Sequence, residues 1–281
     1  MTNDIQKRLI DRIGEASGKP STSGLHIHPV HNSGRKLGAK DDEISTISSE
    51  EAKEIYANRF DLDKKQSAKG GWHSDITFEP VPSDYAILRL EQLPRSGGDT
   101  LWASGYEVYD RISPAYQKFL EGLTATYAQP VFAESAEKNG FKLYSEARGA
   151  PENVGTDLKA IHPVVRTNPV TGWNSVFAVG HHAKRINEVT ESESDHLLEW
   201  FVILIVENHD LQLRYRWKNE GDVAIWDNRS VYHTATYDYE GLGERKGQRA
   251  VSLGERPYLD PESRGRRDAL GEGLVGSNRL A

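Results

Sequence analysis

Three side chains that must meet across a long stretch of chain restrict the fold of this 281-residue sequence more than anything else in it. Two of them, His73 and Asp75, stand two residues apart in Gly71-Trp-His-Ser-Asp-Ile-Thr-Phe78, which reads as β. In an extended strand side chains at i and i+2 leave the same face, so this histidine and carboxylate can address one metal ion. The third is His233, which closes Asp222-Val-Ala-Ile-Trp-Asp-Asn-Arg-Ser-Val-Tyr-His233, a strand and turn far downstream. Two imidazoles and one carboxylate on one side of an octahedral metal leave positions open for a co-substrate and dioxygen. A His-x-Asp pair alone is weak evidence, because surface strands carry such pairs by chance.

The surrounding pattern says what kind of fold could bring these residues together. A short amphipathic helix is expected over residues 4–13, where Ile5, Leu9, Ile10 and Ile13 follow the cap candidates Thr2 and Asn3. Leu25-His-Ile-His-Pro-Val30 alternates like a strand with both histidines on one side. Residues 32–70 are charged and polar around Ile44-Ser-Thr-Ile47, and read as a loop with at most one strand, a mobile lid. Further strands are expected at Tyr85–Leu90, from Thr100, at His162–Arg166, Ser175–Val179, Leu211–Trp217, Asp222–Trp226 and Arg249–Gly254. Helices are expected over 105–121, punctuated by Pro114, and after Thr190-Glu-Ser-Glu193, which fits a capping box. Many short strands with few helices indicate a mainly β (α+β) chain built as an antiparallel sandwich or barrel, here a jelly roll whose first and late strands meet at its mouth.

Composition closes off other chemistry. There is no cysteine, which excludes disulfides, Cys-ligated zinc and iron–sulfur clusters. A formal charge of −7 argues against a nucleic-acid partner. The longest apolar run, Phe201 to Val206, is far too short to span a bilayer, and the polar first residues do not resemble a secretory signal, so a soluble cytoplasmic protein is expected. We expect one domain over 1–281, with 258–281 as a solvated tail that includes the basic Arg264-Gly-Arg266-Arg267.

Leu25-His-Ile-His-Pro-Val30, Trp72-His-Ser-Asp-Ile-Thr-Phe78, Gly97-Gly-Asp-Thr-Leu-Trp102, His162-Pro-Val-Val-Arg-Thr-Asn-Pro169, Gly221-Asp-Val-Ala-Ile-Trp-Asp-Asn-Arg229 and Arg249-Ala-x-x-Leu-Gly254 occur in the order found in the taurine dioxygenase family. Over about Ile5 to Pro257 the chain resembles these iron(II)- and 2-oxoglutarate-dependent oxygenases, which act on taurine, alkylsulfonates, alkylsulfates and aryloxyalkanoates. The resemblance implies a double-stranded β-helix (jelly-roll) core, Fe(II) held by His73, Asp75 and His233, and 2-oxoglutarate and dioxygen as co-substrates. It further implies that Thr100 and Arg245 bind the distal carboxylate of 2-oxoglutarate and that Arg249 faces the anionic group of the substrate. Arg245 and Arg249 share a face of an alternating strand, and their two roles are exchangeable at this level.

By the same carry-over, His28 and the backbone amide of Ile76 match positions that contact a sulfonate. His31, Lys69 and His182 replace a tyrosine, an asparagine and an aromatic wall residue of the taurine enzymes, which implies a more cationic pocket and a substrate other than taurine. Phe132 is a candidate apolar wall. A small anionic substrate follows, an alkylsulfonate or sulfate ester, with a carboxylate as the alternative. Family members place several tens of residues in early strands ahead of the first helix seen here. The edge those strands would cover is then expected to be protected by residues 32–70, by the C-terminal tail or by a partner subunit in a homo-oligomer. A metal- and 2-oxoglutarate-binding homologue without turnover is the rival reading.

Overall fold

The computed structural model describes residues 1–55 and 68–272. The opening helix runs from Asn3 to Ala16 (α1), and Thr2 caps it by accepting the Ile5 amide. Leu25–Val30, predicted as a strand, makes a single bridge, Leu25 to Ser252, and is otherwise irregular. The His28 ring explains this, since its Nδ1 takes the Val30 and His31 amides at 3.1 and 2.9 Å and Pro29 has no amide to offer a ladder. The single strand allowed in the polar segment is Ser45–Ser48 (β1), whereas Ser49–Ile55, expected as loop, form a helix (α2). The lid reading of 32–70 also covers residues 56–67, which lie outside the described residues.

The strand predicted around Tyr85 spans Ser83–Gln92 (β2), and Thr100–Ser104 (β3) follows the glycine turn. Helices Gly105–Asp110 (α3) and Pro114–Glu121 (α4), split at Pro114, lead to Thr124–Ala128 (β4) and helix Pro130–Asn139 (α5). Short strands Lys159–Pro163 (β5), Val165–Thr167 (β6), Asn174–Val176 (β7) and Ala183–Ile186 (β8) precede the capping-box helix Glu191–Val206 (α6). Gln212–Tyr215 (β9), Val223–Asp227 (β10), Val231–Ala235 (β11) and Lys246–Leu253 (β12) complete the strands, and Arg266–Ala269 is a last helical turn (α7).

Two antiparallel sheets form the centre, one ordered β1-β12-β2-β10 and the other β11-β3-β9. β2 is apolar on both faces because both are covered. Ala86, Leu88 and Leu90 join Trp102, Trp226, Val251 and Leu253 in one core, while Ile87 packs with Ile10 of α1 in another. The outward side of β3 and β11, through Ala103 and Tyr232, packs with Leu197, Phe201 and Ile205 of α6. β1 occupies the edge of this sheet, beside β12.

The C-terminal segment is not a free tail as far as residue 272. The Thr167 amide donates to Tyr258 O and the Asn174 amide to Arg264 O, each at 2.8 Å. Arg266 and Arg267, read above as solvated, pair with Glu107 at 3.3 and 2.5 Å. Glu107 on α3 is a counter-charge to both, alongside the local Glu272 on Arg266. No helix among the described residues is long and apolar enough to cross a membrane.

Candidate active site

His73 is not part of a strand. It forms one isolated bridge with His233, each amide donating to the other's carbonyl, and the chain then enters a turn that holds Asp75. Ile76 has φ 49°, an uncommon conformation for a β-branched residue, which corrects the expectation of an extended 71–78 segment. The turn, not strand alternation, aims the carboxylate. Gly180, at φ 92°, lies flat against this bridge, and a Cβ there would sit 2.0 Å from Trp72 O.

The His73 Nδ1–H donates to Gly71 O at 2.7 Å, so Nε2 is the nitrogen that could ligate a metal. One ligand atom from each of His73, Asp75 and His233 lies within 4.8 Å of the others. His233 Nε2 is 3.8 Å from Asp75 Oδ1, and the two imidazole centroids are 4.3 Å apart. Burial raises the Asp75 carboxyl, but Arg249, His233, His73 and the Asn228 amide outweigh it and hold the group ionised, well below the usual range. Burial drives His233 down to about 3 against the pull of Asp75, so this imidazole is neutral at ordinary pH.

Asn228 is a residue that sequence reasoning did not single out, although it stands in the quoted Gly221–Arg229 motif. Its Oδ1 accepts the Asp75 amide and the Trp226 indole, both at 3.0 Å. Its Nδ2 donates to Asp75 Oδ2 at 3.2 Å and to Ser83 Oγ at 2.9 Å. One side chain on the β10–β11 turn therefore fixes both the backbone and the carboxylate of Asp75.

Arg245 and Thr100 lie together at one end of the cavity. Arg245 donates from Nε to Gly98 O at 2.9 Å and from Nη2 to Thr100 Oγ1 at 3.3 Å, and Trp217 Nε1 reaches the same hydroxyl at 3.0 Å. Thr100 Oγ1 thus accepts twice and keeps its own O–H to give. Arg249 also lines the cavity, and its Nη1 donates to Asp75 Oδ1. Its Nε is buried without a hydrogen-bond partner among the described residues.

The structure brings His28, His31, Ile76, Phe132 and His182 to the same cavity. Phe132 packs on His28 and Phe78 at 5.3 and 5.8 Å between centroids. His182 Nδ1 meets Thr77 Oγ1 at 3.0 Å, and burial first, then His73, keeps this imidazole well below its usual range. Lys69 is not there. Its side chain is 44% exposed and pairs with Glu199 of α6 at 3.0 Å, so the expected contribution of Lys69 to the pocket is corrected. His181, not anticipated, also lines the cavity with its ring 4.8 Å from that of His73. Among the two histidines of the 25–30 segment, His26 turns away to Glu79, Nε2 to Oε1 at 3.1 Å.

The donor set fits the implied metal. Two imidazole nitrogens and an ionised carboxylate oxygen suit Fe(II), and grouped on one side they leave sites for exogenous ligands. The buried Arg245–Thr100 pair, with donors to give, likewise suits a carboxylate end of 2-oxoglutarate.

Residues 2–251 match the model for "Taurine catabolism dioxygenase TauD, TfdA family". The alpha-ketoglutarate-dependent dioxygenase btcD of Neocamarosporium betae is 54% identical over 279 residues, 96% of this chain and 80% of that protein. The alpha-ketoglutarate-dependent sulfonate dioxygenase of Saccharomyces cerevisiae is 34% identical over 236 residues, 84% of this chain and 53% of that protein. The crystal structure of a taurine dioxygenase from Burkholderia xenovorans superposes with a TM-score of 0.63 at 26% identity, covering 86% of this chain and 71% of that one. The chain belongs to the TauD/TfdA family and is an alpha-ketoglutarate-dependent dioxygenase, an enzyme that works with Fe(II), 2-oxoglutarate and dioxygen.

Proposed function

We propose that the enzyme hydroxylates a small anionic organic molecule, an alkylsulfonate or a sulfate ester, bound between Arg249, His28 and the apolar wall of Phe78 and Phe132. The observation that carries this reading is the Arg249 guanidinium, which lines the cavity beside Asp75 with Nε buried and unpaired among the described residues. A buried cationic donor without a partner is costly, and an anion next to it removes that cost. Sulfonate is favoured because a relative at 34% identity is named as a sulfonate dioxygenase.

In this reading His73, Asp75 and His233 hold the metal, and Thr100 and Arg245 bind the distal carboxylate of 2-oxoglutarate. When bound, Fe(II) with 2-oxoglutarate and dioxygen supplies an oxidant that cleaves a substrate C–H bond as 2-oxoglutarate becomes succinate and carbon dioxide. Asn228 keeps Asp75 aimed and ionised. Arg249 and the His28 Nε2–H fix the anionic end, so that the neighbouring carbon is the one presented, and Phe132, Phe78 and Ile76 exclude water from it. Hydroxylation at a carbon bearing sulfur gives a product that breaks down to an aldehyde and sulfite, and the same step beside a sulfate ester oxygen releases sulfate.

A carboxylate substrate is the second reading, favoured by the same Arg249 and His28 donors, which serve either anion. A panel of alkylsulfonates, sulfate esters and small carboxylates with iron, 2-oxoglutarate and oxygen separates the two. Release of sulfite or sulfate matched to succinate supports the first reading. A hydroxylated carboxylate with no sulfur oxyanion from any panel member replaces it with the second.

A further inference from the structure

We infer that Glu51 is a specificity-determining residue: it places the proton on His31 so that the cavity offers a hydrogen-bond acceptor beside its anion-binding donors, and the substrate carries a hydroxyl group near its anionic end. The inference rests on the cavity being the substrate site.

The position of Glu51 follows from the sheet. β1 runs against β12 in a register that sets Ser45 opposite Arg249. Ser49 then locks onto Arg245, its amide donating to Arg245 O at 2.9 Å and its Oγ accepting the Arg245 amide at 3.0 Å. Two residues on, in the first turn of α2, Glu51 is 2% exposed. Its Oε2 lies 2.9 Å from His31 Nδ1 and its Oε1 accepts from Arg35 Nε at 2.8 Å. Arg35 is itself fixed over the Phe141 ring at 4.0 Å.

Burial raises the Glu51 carboxyl, but His31 and Arg35 more than offset this and keep it ionised. An ionised carboxylate only accepts, so His31 Nδ1 carries the hydrogen. With Arg35 on the other oxygen of Glu51, the geometry assigns the His31 ring hydrogen to Nδ1 and its lone pair to Nε2. His28 is held the other way round. Its Nδ1 accepts the amides of Val30 and His31, so Nε2 carries its hydrogen. The two rings stand 4.7 Å apart on the cavity wall, one a donor and one an acceptor. A bare sulfonate or carboxylate offers acceptors only. It satisfies Arg249 and His28 and leaves the His31 lone pair facing another acceptor. A substrate with its own donor a few bonds from the anion satisfies all three.

The test pairs a tautomer measurement with two probes that differ by one hydroxyl. In protein labelled with 15N-histidine, two-bond couplings report which ring nitrogen carries hydrogen, and we expect Nδ1–H at His31 and Nε2–H at His28. Ethanesulfonate and 2-hydroxyethanesulfonate are then bound anaerobically to the enzyme loaded with Fe(II) and 2-oxoglutarate, with the visible band of the chelate as readout. The hydroxylated probe is expected to bind roughly tenfold tighter. That preference is expected to shrink below about threefold in Glu51→Gln and in His31→Phe, with 2-oxoglutarate affinity unchanged. Nε2–H on His31, a doubly protonated His31, no preference in the unmodified enzyme, or an undiminished preference in both variants overturns the inference. If the chelate forms and neither probe binds, the sulfonate reading fails, and the couplings still decide whether Glu51 places the proton.

Discussion

His73 and His233 bond to each other through their backbones in both directions, His73 N–H to His233 O at 3.0 Å and His233 N–H to His73 O at 2.8 Å. The contact that brings the two imidazoles together is therefore made by the main chain, independently of any metal. Asp75 enters the site differently, through a turn that depends on Asn228. The three candidate ligand positions thus have two structural origins, and these can be separated by mutation.

Asn228→Ala removes the support from Asp75 without touching the His73–His233 bridge. We expect metal affinity to fall about 10- to 100-fold, the usual loss when a partner of a ligating carboxylate is removed. Mn(II) binding followed by electron paramagnetic resonance checks this, and unchanged affinity would show that the turn alone positions the carboxylate.

Arg245→Lys separates co-substrate binding from metal binding. A lysine ammonium cannot reproduce the planar fork that reaches both Gly98 O and Thr100 Oγ1. The loss expected is about 2–5 kcal/mol in 2-oxoglutarate affinity, as for one partner of a buried charged contact. Calorimetric titration with 2-oxoglutarate should show it while Mn(II) affinity stays the same.

The grouping of His73, Asp75 and His233 was legible in the sequence because candidate metal ligands are read by residue type, and their neighbours by ordered motifs. β2 and α6 were legible because each is long and strongly patterned, and α6 has Thr190 and Glu193 forming a complete capping box. The failures have particular causes. Leu25–Val30 alternates like a strand, yet the His28 ring consumes the amides a strand would use. The 71–78 segment reads as β, yet Ile76 adopts a positive φ imposed by the turn around Asp75. α2 is short and acidic, and its Ser49 is anchored by the Arg245 backbone and the Glu244 carboxylate from the far end of the chain. Lys69 was assigned to the pocket by alignment, but Glu199 on α6 draws it to the surface. The α2 and Lys69 cases depend on distant partners that local spacing does not contain, whereas the His28 case is a side-chain-to-backbone contact that alternation alone does not reveal.

Acid should destabilise the metal-free protein over a defined range. Burial holds His162 at about 4 and His233 at about 3, and it keeps His26, His28 and His182 below the usual imidazole range. Unfolding returns each to about 6.5, so below that pH the unfolded chain binds more protons than the native one. Stability present above pH 6.5 is therefore lost as pH falls towards 4, and His162 alone accounts for roughly 3 kcal/mol of it. Thermal melts in a chelator should show Tm falling steadily across this window, with a shallower slope in His162→Gln. A flat or rising Tm would contradict the assignment of neutral buried imidazoles.

Gly180→Ala tests how the wall of the cavity is seated. The residue has φ 92°, and an added Cβ would lie 2.0 Å from Trp72 O and 2.9 Å from His73 Cα. Strain of this kind costs about 1–3 kcal/mol from the backbone alone, and relief requires 180–182 to move off the His73 bridge. We expect a lower Tm together with weaker metal binding, which separates this effect from an ordinary destabilisation that would leave metal affinity intact.

The central claim is that His73, Asp75 and His233 hold Fe(II) while Thr100 and Arg245 hold the 2-oxoglutarate that chelates it. Anaerobic titration of the purified enzyme with Fe(II) and 2-oxoglutarate, followed by visible absorption, tests it most directly. A weak charge-transfer band that saturates with a single metal ion per chain, disappears in Asp75→Ala, and in Arg245→Lys needs far more 2-oxoglutarate to reach saturation is the result predicted. Bound iron with no band, or a band that survives Asp75→Ala unchanged, would contradict it.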